Sequence, residues 1–81
     1  MDIKVIGPGC INCQNLEMMV INELAKLGIS ANVDKVTNPL EFSKYGIFGT
    51  PGLVINGNLK VAGRVPTSDE VRKWIEEEMQ S

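Results

Sequence analysis

The chain has 81 residues, of which 43% are apolar and 22% charged, and it carries a net charge of −2 at neutral pH. A chain this short is expected to form a single domain, residues 1–81, whose modest core takes only about 60% of the unfolded surface out of water. The weak negative charge offers no field for nucleic-acid phosphates, and the apolar runs fall short of the roughly 18 residues a membrane span needs.

The first predicted element is the strand "DIKVI", residues 2–6, rich in β-branched side chains and stopped by "GPG". Gly7, Pro8 and Gly9 form a tight turn or leave room for a partner's backbone, and the sequence leaves both open. From residue 12 to residue 27 the spacing predicts a helix: Leu16, Val20, Leu24 and Leu27 form one stripe, which Met18, Ile21 and Ala25 are expected to widen. Gly28 suits the left-handed position after a helix end. "ISANVDKV" reads as a second strand. Asn38 as N-cap and Pro39 in the first turn open a short helix ending before Gly46.

"GLVI" and "NLKVA" are strands joined by Asn56-Gly57, a pair suited to the positive φ angles of a type I′ hairpin turn. Thr67 and Glu70 make a T-x-x-E capping box. The helix it opens is expected to bury Val71, Trp74, Ile75 and Met79, with Glu76, Glu77 and Glu78 on a solvated face. Met18, Met19 and Met79 read as core filling. The order is β-α-β-α-β-β-α. Right-handed crossovers make the first two strands parallel, and the hairpin adds an antiparallel edge, giving an α/β fold with a four-stranded mixed sheet and helices on both faces.

Against this frame stand Cys10 and Cys13, the only two cysteines in a chain without histidine. They fall where the first strand gives way to the first helix, the end at which open α/β sheets place their chemistry. Residues three apart at a helix start have Cα atoms roughly 5 Å apart, inside the window a disulfide tolerates. Unpaired N–H groups there favour a thiolate, and lowering a cysteine pKa from about 8.5 to about 7 corresponds to roughly 2 kcal/mol. Cys10, at the exposed lip, should attack a substrate disulfide. Cys13, shielded by Leu16, Pro51 and the helix body, should resolve the mixed disulfide. Two other readings stay open at this point. The sulfurs are a two-thiolate Cu(I) site, or they are two small buried side chains. A closed zinc site is not expected, since four ligands are usual.

A second stretch, "YGIFGTPGLVINGNLKVAG", puts Thr50-Pro51 directly before a strand. A cis bond there turns the chain tightly and leaves the Thr50 backbone facing outwards, whereas a trans proline simply starts the strand. This stretch, taken with C-x-x-C between the first strand and helix, resembles the small redox-active disulfide proteins of the thioredoxin and glutaredoxin superfamily. The likeness covers nearly the whole chain.

It implies a minimal thioredoxin fold with strand order 2-1-3-4, and no bound cofactor or metal. It implies Cys10 as nucleophile, Cys13 as resolving thiol, and a cis Pro51 over the pair. Thr50, with Gly49 and Ile11 beside it, would meet a disulfide-bearing protein substrate through a short β-augmentation. From the residues alone, Phe48 either covers the core or joins Ile11 and Pro51 in a small apolar docking patch. A separate reductase, a flavoprotein, would supply the electrons.

The departures are Gly9 before the first cysteine, Ile11-Asn12 between the two, and no basic clamp for glutathione. Lys4 stands at the spacing of the family's buried acid, so proton delivery to Cys13 is unassigned. The metal-carrier alternative rests on "GPGCINC", which follows the spacing of copper domains but has Pro8 where those have methionine. Those domains also run β-α-β-β-α-β. The expectation is a monomeric, cytoplasmic protein-disulfide reductase that engages neither nucleic acid nor membrane.

Overall fold

A computed structural model describes residues 1–80; Ser81, the last residue of the expected domain, lies outside them. Its elements are β1 (Asp2–Ile6), α1 (Ile11–Leu27), β2 (Asn32–Val36), α2 (Pro39–Phe42) followed by a 3₁₀ turn (Ser43–Tyr45), β3 (Gly52–Ile55), β4 (Asn58–Ala62) and α3 (Ser68–Met79). The four strands form one sheet in the order β2-β1-β3-β4. β1 pairs parallel with β2 and antiparallel with β3, which pairs antiparallel with β4. The fold is the expected α/β arrangement of the minimal thioredoxin fold.

Side chains alternate along each strand, and the two faces separate accordingly. Ile3 and Val5 of β1, Leu53 and Ile55 of β3 and Val61 of β4 pack against Leu16, Val20 and Leu24 of α1 and Val71 and Ile75 of α3. The other face is thinner: Ile6 and Val54 meet Ile47, with Val36, Phe42 and Tyr45 partly buried around them. α1 and α3 thus share one face, and the short helical segment after β2 covers the other.

The ends of the elements follow their local chemistry. Gly28 closes α1 at φ 68°, and its N–H donates to the Ala25 and Leu24 carbonyls. Asn38 caps α2 by accepting from the Leu40 N–H at 3.1 Å. Asn56 and Gly57 take positive φ values of 52° and 82° at the hairpin turn. Thr67 and Glu70 form the reciprocal capping box of α3.

Five expectations of burial change, that for Ala25 among them, which is exposed. Met18, at 61% exposure, and Ile21, at 48%, face outwards instead of widening the buried stripe. Met18 is two residues past Leu16, about 200° around the helix, which turns it away from the sheet. Met79 is 53% exposed at the end of α3, and Trp74 is only partly buried. Of the three methionines read as core, only Met19 packs against it, and then in part.

Glu78 is not a plain solvated side chain. It lies 2.7 Å from Lys60 and accepts from Asn58 at 3.1 Å, tying α3 to the β3–β4 hairpin. A register irregularity beside Leu53 and Val54 inserts Lys60 into β4, and such bulges re-aim a side chain, here towards α3.

Glu23, at 2% exposure, is buried in the middle of the α1 stripe. It lies seven residues after Leu16, almost two full turns, and pairs with Lys26 at 3.1 Å.

Candidate functional site

The turn after β1 delivers both sulfurs to one place. Cys10 is the N-cap of α1, with extended backbone angles (φ −68°, ψ 168°), and Cys13 lies in the first turn. Their Cα atoms are 5.1 Å apart and the two are joined by a disulfide. The backbone N–H of Cys13 donates to Cys10 Sγ at 3.3 Å. Sulfur therefore takes the place that an Asp or Ser oxygen holds at an ordinary helix start. A thiolate at Cys10 would keep this donor and gain the favourable end of the 17-residue α1 dipole. Gln14 Nε2 fastens the turn by donating to the Gly9 carbonyl at 3.3 Å.

The pair is asymmetric. Cys10 is exposed, whereas Cys13 is 5% exposed. Gly7 explains how Cys13 fits: a Cβ at this buried position would run into Cys13 Sγ and lie 3.7 Å from Thr50 Cβ. So the glycine leaves room for a sulfur, and the same space brings Cys13 and Thr50 close together. Gly9 is a different case, since it takes φ 89°, a conformation that favours glycine.

The second motif stands beside the first. The Thr50–Pro51 peptide bond is cis, Thr50 is half-buried and Pro51 is buried. The Gly63 N–H donates to the Pro51 carbonyl at 3.0 Å, fixing this loop to the end of β4. A side chain at Gly49 would press on Gly63 Cα at 3.2 Å, so Gly49 lets the loop lie close to the chain after β4. Ile11 is 70% exposed and Phe48 91% exposed. Each is an apolar side chain on a loop or helix start of the same motifs, held out in water.

Behind Cys13 lies a cleft of about 80 Å³ lined by Val5, Gly7, Gly9, Cys13, Gln14, Lys35 and Thr37. Lys35 has no place among the site residues expected from sequence. Its signal was the alternation of β2: Lys35 is the register partner of Val5 and so faces α1. Lys4 does not occupy the place of a buried acid. It alternates with Ile3 and Val5, points to the opposite face, and pairs there with Asp2 at 3.6 Å and Asp34 at 3.7 Å.

A disulfide at a helix start, one sulfur exposed and one covered, on an open α/β sheet, defines a thiol–disulfide oxidoreductase. Comparison with known proteins agrees. Residues 1–76 match the family described as thioredoxin domain. A thioredoxin of Methanothermobacter thermautotrophicus is 37% identical over 75 residues, covering 93% of this chain and 97% of that one. A thioredoxin of Methanocaldococcus jannaschii is 29% identical over 73 residues, covering 90% and 84%. The chain belongs to the thioredoxin domain family. The metal-carrier alternative finds no support: it calls for the order β-α-β-β-α-β, and the chain runs β-α-β-α-β-β-α.

Proposed function

We propose that the protein reduces disulfides in other proteins by dithiol exchange, with Cys10 as nucleophile and Cys13 as resolving thiol. One observation carries the reading: the two sulfurs are within bonding reach, yet only Cys10 is exposed while Cys13 is covered.

The Cys10 thiolate attacks one sulfur of the substrate disulfide. A Cys10–substrate bond forms, and the first substrate thiolate leaves and takes up a proton. Cys13 then loses its proton and attacks Cys10 Sγ, forming the Cys10–Cys13 bond and expelling the second substrate thiol. Two electrons pass from the pair to the substrate.

Gly49, Thr50, Pro51 and Ile11 form the face that meets the substrate. The Thr50 backbone pairs with an extended substrate segment, which gives affinity with little sequence preference. The reaction needs no bound cofactor. A separate flavoprotein reductase returns the pair to its dithiol form, and the protein works as a monomer in the reducing cytoplasm. No helix among the described residues is long and apolar enough to cross a membrane.

Reduction of insulin disulfides with dithiothreitol tests the reading. Wild type should accelerate it and Cys10→Ser should fall to the uncatalysed rate; equal rates for the two would remove the proposal. Cys13→Ser should accumulate a mixed disulfide at Cys10, readable by mass spectrometry.

A further inference from the structure

We propose that Lys35 is a positioning residue for Cys13: its ammonium group, held at the mouth of the cleft by Glu17, stabilises the Cys13 thiolate that forms when the mixed disulfide is resolved. The inference rests on the proposed exchange reaction and adds to it the missing partner for the covered sulfur.

A buried thiol pays for ionisation, since burial disfavours the charged form. Cys13 is 5% exposed, so something must offset that cost as it gives up its proton. Among the described residues, Lys35 is the only titratable side chain besides Cys13 that lines the cleft behind it. β2 pairs in register with β1, Val5 opposite Lys35, which sets the lysine on the α1 face of the edge strand. Its Nζ is 3.6 Å from Glu17 Oε1, a residue one turn beyond Cys13 on α1.

The other segments around Cys13 present neutral groups: Val5 from β1, Gly7 from the turn after it, Thr37 from the chain after β2, and Thr50 from the loop before β3. Lys4 and Asp34 pair on the opposite face of the sheet. Lys35 is thus the cation that shares the cleft with Cys13, and its partner Glu17 opposes it.

The cleft of about 80 Å³ has room for about two waters. In the resolving step the Cys13 proton passes to water there and on to solvent. The Cys13 sulfur then takes Cys10 Sγ as its partner and the substrate thiolate departs. Lys35 neither gives nor takes a proton in this step; its charge lowers the cost of the anion.

The test reads Cys13 alone. In a Cys10→Ser background, the rate of alkylation by iodoacetamide is followed from pH 6 to pH 10 with Lys35 intact, as Lys35→Met, as Lys35→Arg and with Glu17→Gln. A nearby opposite charge favours a thiolate, and solvent screens that effect for a side chain as exposed as Lys35, at 58%. Lys35→Met should therefore lower the alkylation rate at pH 7 about threefold and move the profile to higher pH. Lys35→Arg should restore it, and Glu17→Gln should move it to lower pH. An unchanged profile in Lys35→Met, or an arginine variant that behaves like methionine, overturns the proposal. Because no substrate disulfide is involved, a shifted profile beside inactive wild type would instead remove the exchange reading and leave the Lys35–Cys13 coupling standing.

Discussion

At position 7 the chain has no space for even a methyl group, because the Cys13 sulfur fills it. Gly7→Ala should displace either the sulfur or the strand end, and overpacking of this kind typically costs about 1–3 kcal/mol. Denaturant unfolding of both redox forms checks this, with the loss expected in each. Phe48 poses the opposite case. At 91% exposure it contributes little packing, so Phe48→Ala should change stability by no more than about 0.5 kcal/mol. If it belongs to the docking face, the same variant should raise KM for a protein disulfide several-fold while leaving a small-molecule disulfide unaffected. Steady-state kinetics on the two substrates decides between docking face and idle surface.

Among the elements, α3 depends most openly on charge. Glu70 accepts both a bidentate pair from Arg64, at 2.9 and 2.7 Å, and the Thr67 N–H at 3.0 Å. The Arg64 hydrogen bonds first, and the Thr67 backbone second, hold its carboxyl well below the usual range, at about 2. A carboxyl whose folded value is depressed stabilises the fold above its unfolded value and loses that contribution as pH falls towards the folded one. Unfolding free energy should therefore decline between about pH 5 and pH 2. In Glu70→Gln that decline should be shallower. Thr67→Ala should cost about 1 kcal/mol, the usual loss of an N-cap, measured by the same unfolding experiment.

These end signals were legible because they are local. Thr67 to Glu70, Asn38-Pro39, Asn56-Gly57 and Gly28 each act through neighbours within a few residues, and all four mark the observed turns and helix ends. What escaped depends on distant partners. Glu78 looked solvated because Lys60 and Asn58 come from a hairpin some twenty residues earlier. Glu23 lies at a stripe position, but a carboxylate there gives no apolar signal. Met18 and Ile21 counted as apolar although their angle around α1 turns them outwards. Lys35 needed the register of β1 on β2 before its face could be assigned.

For the whole molecule, the sheet order fixes both the core and the site. β1 and β3 run through the centre of the sheet, so the residue ahead of Cys10 and the residue ahead of β3 leave the sheet at the same end. Leu16 joins that site to the main core, since it is fully buried one turn after Cys13. Leu16→Ala should cost about 2–5 kcal/mol, a large share of the stability of so small a fold. The disulfide contributes less. Cys10 and Cys13 close a loop with only two residues between them, and chain entropy assigns such a short loop about 2 kcal/mol. Reduction should therefore leave the far-ultraviolet circular dichroism unchanged and lower the unfolding midpoint only modestly.

The division of labour between the two sulfurs is tested most directly by competitive alkylation of the fully reduced protein near neutral pH, each thiol quantified by mass spectrometry. The account predicts that Cys10 is modified at least about tenfold faster than Cys13, as a helix-start thiolate beside a covered thiol requires. Equal rates, or a faster Cys13, would contradict it.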